Sequence, residues 1–219
     1  MLSLFGPEQM ASNVTINIVE SDSQIEKMIL RSLVKEINQV LPNIKNKIQS
    51  NIKPVIREAL FNSQEIMSLE GGVLRLDFGI PIGKSVSAPI VETIVNSLYV
   101  RVVRAAVAGS SLKGGIEIRL QPTDYTNLLI LQEGKTVIEK GGVLPWLEWL
   151  LLLGDAIIVG NFGVEYEAGT GRSGGAHMAE EARPFKVNTT FSGTATNNFI
   201  TKAIDRYQSQ IMDAIEKSF

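Results

Sequence analysis

Between Val143 and Met178 the chain reads VLPWLEWLLLLGDAIIVGNFGVEYEAGTGRSGGAHM. The first part of this stretch constrains the fold more than any other. Trp146, Leu147, Trp149, Leu150, Leu151, Leu152 and Leu153 are interrupted only by Glu148, and a helix this apolar on every side must be buried. A bilayer is not the place for it. A membrane span needs about 20 predominantly apolar residues, whereas Val143–Val159 carries both Glu148 and Asp155. The segment therefore belongs in a core. That core is either the protomer's own or one shared with a neighbouring subunit, because tryptophan is favoured at buried interface centres. Pro145 is expected to open a helix over Trp146–Leu153 and Gly154 to end it. Ala156–Glu167 then reads as a strand that feeds a mobile glycine-rich loop, Gly169–Gly175.

A chain of 219 residues can enclose such a core without staples. It has no cysteine, which removes disulfides, thiolate nucleophiles and thiolate-bound metals from consideration. Its 21 basic and 23 acidic side chains are interspersed and leave a net charge of -2. No basic stripe is present to grip nucleic acid or an anionic membrane. The opening MLSLFGPEQMASNVT lacks a positive n-region and a sustained apolar run, so it does not read as a signal peptide.

By pattern the chain divides into an N-terminal arm, residues 1–21, a helical segment, 22–70, and a body, 71–219. The arm is irregular, with a short strand expected at Val14–Val19. Ser23 and Glu26 match the S-x-x-E capping box. Ile25, Met28, Ile29, Leu33, Val34, Ile37 and Leu41 follow at helical spacing, with Lys27, Arg31, Lys35 and Glu36 opposite. Pro42 is expected to break or restart this helix. A second helix carries Ile44, Ile48, Ile52, Val55, Ile56 and Leu60 on one face and meets Pro54, a kink site. The apolar stripe of these helices is most simply core; on a compact body, a protruding pair packs on neighbours instead. A further turn, Gln64–Leu69, ends at Gly71-Gly72.

In the body, Leu74, Leu76, Phe78 and Ile80 alternate with Arg75, Asp77 and Gly79, the pattern of a half-buried strand. Pro81–Ser87 reads as loop, and Pro89 as the opening of a short helix holding Ile90, Val91, Ile94 and Val95. Leu98–Val107 is a valine-rich strand. Ile116, Ile118 and Leu120 mark another, and Gly109–Gly115 joins the two as a long hairpin loop. Asp124–Leu131 reads as a short helix. Arg183-Pro184-Phe185 is an extended corner. The last helix is capped by Thr194, Thr196 or Asn197 and shows Phe199, Ile200, Ala203, Ile204, Tyr207, Ile211, Met212 and Ile215 on one face. Helices first, then strands with short helices between, then a terminal helix make an α+β fold. It has a mainly antiparallel β-sheet flanked by helices, a long N-terminal helical segment and an amphipathic C-terminal helix.

Three patterns near the glycine loop invite chemistry. Gly169-Thr-Gly171-Arg-Ser-Gly174 matches G-x-G-x-x-G, but a dinucleotide site also needs a helix opening at the loop and an acidic residue about 20 positions on. Gly171-Arg-Ser173-Gly-Gly175 matches the nucleophile elbow G-x-S-x-G. That chemistry needs a histidine base held by a carboxylate, with the acid between serine and histidine in the chain. The single histidine, His177, stands four residues after Ser173 with no acid between them. His177 with Glu165, Glu167, Glu180 and Glu181 lacks metal-ligand spacing. No catalytic residue, cofactor site or metal site is assigned on these grounds, and a serine hydrolase or nucleotide-binding protein built on Gly169–Gly175 stands as the competing reading.

The runs LPWLEWLLLLGD at 144–155, GRSGGAHM at 171–178 and FSGTATNNFITKAI at 191–204 resemble tailed-bacteriophage virion proteins of the neck and tail-completion (head-tail connector) group. Gly72-Val-Leu74-Arg75 and Arg183-Pro184-Phe185 stand at the places that this layout expects. The likeness covers roughly residues 63–219 by motif order. The helical segment before it is longer than in small members, so a plain tail-completion subunit and a larger neck or connector variant both fit. The resemblance implies a non-enzymatic virion protein, made in the host cytoplasm, that forms a homo-oligomeric ring between the portal-connector complex and the tail tube or tail terminator. Genomic DNA would pass through the ring without tight binding, and no membrane is involved. Another tail or baseplate component is the alternative within the same class. A ring needs two complementary surfaces on each subunit. The candidates are the N-terminal arm, the tryptophan-rich segment and the glycine loop, with Trp146, Trp149, Arg172, Ser173, His177 and Met178 as candidate subunit-interface residues.

Overall fold

A helix of 40 residues, α1 (Asp22–Phe61), begins behind Ser21. The computed structural model describes residues 19–122, 124–137, 142–180 and 184–219. The strand expected at Val14–Val19 falls, but for Val19, outside them, as does Arg183 of the expected corner. The capping box is Ser21-x-x-Gln24 and not Ser23-x-x-Glu26: the Gln24 Oε1 accepts the Ser21 N–H at 2.8 Å, closing the first turn two residues earlier. The break expected at Pro42 is also absent, and α1 runs unbroken through Pro42 and Pro54. Both prolines face solvent, so the carbonyls that they leave unbonded, those of Asn38 and Ser50, need no partner from the core.

Helix α2 (Gln64–Gly71) is capped by the Ser63 hydroxyl. Leu74–Ile80 is not a strand. Val73–Asp77 forms α3, and Gly79 (φ +60) turns the chain behind it. Leu74 and Phe78 are buried, four residues apart on one side of this turn; a period of two over so few residues does not exclude that spacing. Helix α4 (Lys84–Asn96) starts five residues before Pro89. Gly83, ahead of it, lies so close to the end of α2 that a Cβ there would sit 2.3 Å from the Glu70 Cα.

The hairpin of β1 (Tyr99–Ala108) and β2 (Ser111–Arg119) is tighter than expected. Ala108 pairs with Ser111, leaving a loop of Gly109 and Ser110 with Gly109 at φ +67, the demand of a two-residue hairpin turn. A bulge places Arg104 and Ala105 opposite Gly114. A Cβ on Gly114 would lie 2.7 Å from the Ala105 Cα. The bulge leaves Ala105 without ladder partners, and Asn38 of α1 supplies them. Its amide Nδ2 donates to the Ala105 carbonyl at 2.9 Å, and its Oδ1 accepts the Ala105 N–H at 2.8 Å.

Beyond the hairpin come α5 (Thr126–Leu129), β3 (Thr136–Val137) and β4 (Val143–Leu144). The helix expected from Trp146 to Leu153 is a turn that widens into a π-helix over Trp149–Leu153, ended by Gly154 at φ +62. The single strand expected at Ala156–Glu167 is two, β5 (Ile157–Val159) and β6 (Phe162–Glu165). After them come β7 (His177–Glu180) and β8 (Phe185–Lys186). Helices α6 (Phe199–Arg206) and α7 (Gln208–Glu216) finish the chain, parted at Tyr207. The cap of α6 is Asn198, one residue past the expected candidates. Its Oδ1 takes the Ile200 and Thr201 N–H groups at 3.0 and 3.3 Å, while its Nδ2 donates to the Tyr125 hydroxyl at 2.8 Å.

The fold is α+β, and its antiparallel strands form separate two-stranded ladders: β1-β2, β3-β4, β5-β8 and β6-β7. One core runs across residue 70. It joins Ile48, Ile52, Ile56 and Leu60 of α1 to Leu69, Phe78, Ile90, Ile94, Trp146, Leu150 and Phe199. Trp146 stacks on Phe78 at 5.1 Å between ring centres. No helix among the described residues is long and apolar enough to cross a membrane.

Candidate functional site

The glycine-rich loop spans residues 166–176, between β6 and β7. Rather than hanging free, it is folded on itself. The Glu167 N–H donates to Gly175 O at 3.1 Å, and the Gly169 N–H to Gly174 O at 3.0 Å. Gly171 (φ +60) is pressed against its own loop, where a Cβ would fall 1.9 Å from the Ala176 carbonyl oxygen. No other residue fits there.

α3 fastens the loop to the body. The Arg75 Nη2 donates to Ser173 O at 2.7 Å and to Pro81 O at 3.0 Å. The Arg172 guanidinium donates to Val137 O. The Tyr166 hydroxyl donates to the Asp77 carboxylate at 2.5 Å. Burial pushes the Asp77 carboxyl above the usual range, and the Tyr166 bond opposes that push. The Tyr166 phenol is driven well above its ordinary range, first by desolvation of the hydroxyl end and then by Asp77, although the ring is largely exposed. Two motifs far apart in sequence, Gly72-Val-Leu74-Arg75 and GRSGGAHM, thus form one joint.

In this geometry no hydrogen bond joins Ser173 to His177. Ser173 is 6% exposed, and its Oγ has no hydrogen-bond partner among the described residues. The His177 Nδ1 lies 3.2 Å from the Thr170 Oγ1, and its Nε2 lies 3.6 Å from the Glu165 carboxylate. Both ring nitrogens therefore face groups other than Ser173. After Gly174 the chain enters β7 and not a helix, so no helix N-terminus meets a phosphate. No group of three or more His, Asp or Glu side chains among the described residues is placed to hold a metal.

The six interface candidates separate by burial. Trp146 lies wholly in the chain's own core. Ser173 is buried too. Trp149 is half-buried, with its indole N–H donating to Ala156 O at 2.9 Å. Arg172 and Met178 are exposed and His177 half-exposed.

A second exposed apolar surface lies on the N-terminal half of α1. Leu30, Val34, Ile37 and Asn38 are half-buried along the side that packs on β1. Ile25, Ile29, Leu33 and Val40 form a second stripe, within about a quarter turn of one another at 3.6 residues per turn. Ile29, Leu33 and Val40 are 55%, 45% and 49% exposed. Asp22, Glu26 and Glu36 share this side, whereas Lys27, Arg31 and Lys35 project from another. Sequence periodicity merged the two stripes into one. The signal that separates them is width: apolar residues at 25, 29 and 33 together with 30, 34 and 37 cover more of the circumference than one buried face needs.

The hairpin, too, has an open face. Val100 and Val102 turn toward α1, so their neighbours Tyr99, Arg101 and Val103 point outward, joined across the ladder by Arg119, Glu117 and Gly115. Past the bulge Ala106 and Lys113 continue this face. Tyr99 and Val103 are 55% and 45% exposed. Glu117 is engaged by both Arg119 and Arg101. Comparison with protein-family models, with curated proteins and with solved structures finds no match.

Proposed function

We propose that this chain is a structural virion protein of a tailed phage: a ring-forming neck or tail-completion adaptor that joins the portal-connector complex to the tail and lines the genome channel. The observation that carries the reading is the second apolar stripe of α1. Ile29, Leu33 and Val40 stand about half exposed on a helix whose other side already packs on the hairpin. A helix with two apolar sides, one of them open, is built to be covered in an assembly. The charge balance supports the same reading, since a net charge of -2 gives passing DNA no counterion-release grip. The joined Arg75 and Ser173 motifs support it as well, because they act as a structural clasp.

The test is genetic and structural. Deleting the reading frame from the phage that encodes it is expected to leave filled capsids and separate tails, and restoring it in trans rejoins them. Labelled chain is expected at the head–tail junction in images of intact particles. Infectious particles assembled normally without the chain overturn the adaptor reading. Label at the distal tail end moves the chain to a baseplate role.

A further inference from the structure

The open stripe of α1 and the open face of the hairpin complement each other in shape class and in charge. The stripe pairs Ile25, Ile29, Leu33 and Val40 with acids alone: Asp22, Glu26 and Glu36. The hairpin face pairs Tyr99, Val103 and Ala106 with the bases Arg101, Lys113 and Arg119, and its one acid, Glu117, is already shared between two of them. One surface is apolar and acidic, the other apolar and basic.

Their positions matter as much as their chemistry. In one protomer the hairpin's inner face lies against α1, fixed by the Asn38 clamp on Ala105. The stripe and the hairpin's outer face are therefore on opposite sides of a two-layer slab. A protomer cannot satisfy one with the other. A two-fold dimer of stripe on stripe would face acid with acid, and hairpin on hairpin would face base with base, both unfavourable. Pairing one protomer's stripe with the next protomer's hairpin meets both needs and is head-to-tail by construction.

We infer that the acidic apolar stripe of α1 packs on the basic outer face of the β1-β2 hairpin of a second copy of this chain, and that this heterologous contact is the ring contact. The inference rests on the adaptor reading for its ring but is tested separately from it. The occupant is a second copy because the chain itself carries the complement of each surface.

The test uses the full chain and two charge-reversed variants, E26K/E36K on the stripe and R101E/R119E on the hairpin. All the changed side chains are exposed or half-exposed, and thermal melts confirm folding before assembly is measured. Sedimentation velocity and light scattering are expected to show self-association of the wild-type chain. Each variant alone is expected to lose at least about tenfold in association constant, since several like charges then face one another. An equimolar mixture of the two variants is the decisive sample. Every contact between unlike chains is then complementary: the reversed stripe of the E26K/E36K chain meets the reversed hairpin of the R101E/R119E chain, and the intact stripe of the latter meets the intact hairpin of the former. The mixture is expected to regain association like that of the wild-type chain, with the two variants alternating head to tail. The chain carrying all four substitutions regains self-association. A wild-type chain that stays monomeric at its solubility limit overturns the contact, as do variants that assemble like wild type or a mixture that stays monomeric. None of these results bears on whether the chain sits in the virion, which the deletion and labelling experiments decide.

Discussion

Asn38 is the most economical place to test how the hairpin is held. Its side chain provides both partners for the bulged Ala105, at 2.9 and 2.8 Å, and Ala105 is only 8% exposed. Each hydrogen bond contributes about 0.5–1.5 kcal/mol net, and a desolvated donor or acceptor left unmet costs about 1–3 kcal/mol. Because the bulge lies on a sheet edge, water can reach one of the two freed groups. Asn38→Ala is therefore expected to cost about 2–4 kcal/mol. For a chain of this size, that corresponds to a fall of roughly 4–16 °C in Tm. Asn38→Leu fills similar volume without polar atoms and is expected to cost as much, which separates hydrogen bonding from packing. Asn38→Asp keeps the acceptor but sets a carboxylate against the Ala105 carbonyl, and is expected to be at least as damaging as alanine. Urea unfolding gives the free energies, and amide exchange at Ala105 gives the local readout. An Asn38→Ala chain within about 0.5 kcal/mol of wild type, the range of an ordinary surface change, with Ala105 exchange unaltered, refutes the reasoning.

Other consequences follow from the same reading of the structure. Gly114→Ala places a Cβ 2.7 Å from the Ala105 Cα at a backbone φ of +154, so a loss of about 2 kcal/mol or more is expected by urea unfolding. Trp146→Ala opens a cavity beside Phe78 and is expected to cost about 3–5 kcal/mol; Trp146→Phe is expected to cost less, because the indole N–H has no partner among the described residues to lose. Arg75→Met removes the bonds to Ser173 O and Pro81 O and is expected to cost about 1–3 kcal/mol, with limited proteolysis moving to residues 169–175. The raised Asp77 carboxyl makes folding less favourable as pH rises from the ordinary carboxylate range through its folded value, since the folded chain then holds the proton longer than the unfolded one. Asp77→Asn is thus expected to gain on wild type between acid and neutral pH, and a difference that stays flat across that window contradicts the burial argument. Glu92 behaves oppositely: its bond from Arg57 lowers its carboxyl, so its contribution is present above the ordinary range and fades as pH falls through its folded value.

Much of the helical architecture was legible in the sequence because it depends on periodicity. Ile48, Ile52 and Ile56 announce a buried face, and the all-round apolar run at Trp146 announces burial. The misreadings have local causes. Pro42 breaks a helix only where its missing bond and its ring cannot be accommodated, and a solvent-facing position accommodates both. Leu74, Leu76, Phe78 and Ile80 fit a period of two, but α3 is too short for period to decide, and Gly79 ends it. In Thr194-Ala-Thr196-Asn197-Asn198 four residues are able to cap a helix, and only Tyr125, more than 70 positions away, selects Asn198. The joint between Arg75 and the glycine loop was illegible for the same reason: nothing in either segment names the other. The open stripe of α1 was hidden because the hairpin's choice of side is tertiary information.

The unbroken helix also has a mechanical meaning. Its C-terminal half belongs to the core, while its N-terminal half meets the rest of the chain along the hairpin. Pro42 lies between the two, and with no N–H to give, it leaves the Asn38 carbonyl outside the helical ladder. Flexing there meets one helical hydrogen bond fewer than at a position without proline. From Pro42 to Asp22 the arm measures about 30 Å at 1.5 Å per residue, so a swing of about 10° would carry its end through about 5 Å. On the adaptor reading proposed above, such a lever would let one contact adapt to rings of slightly different radius.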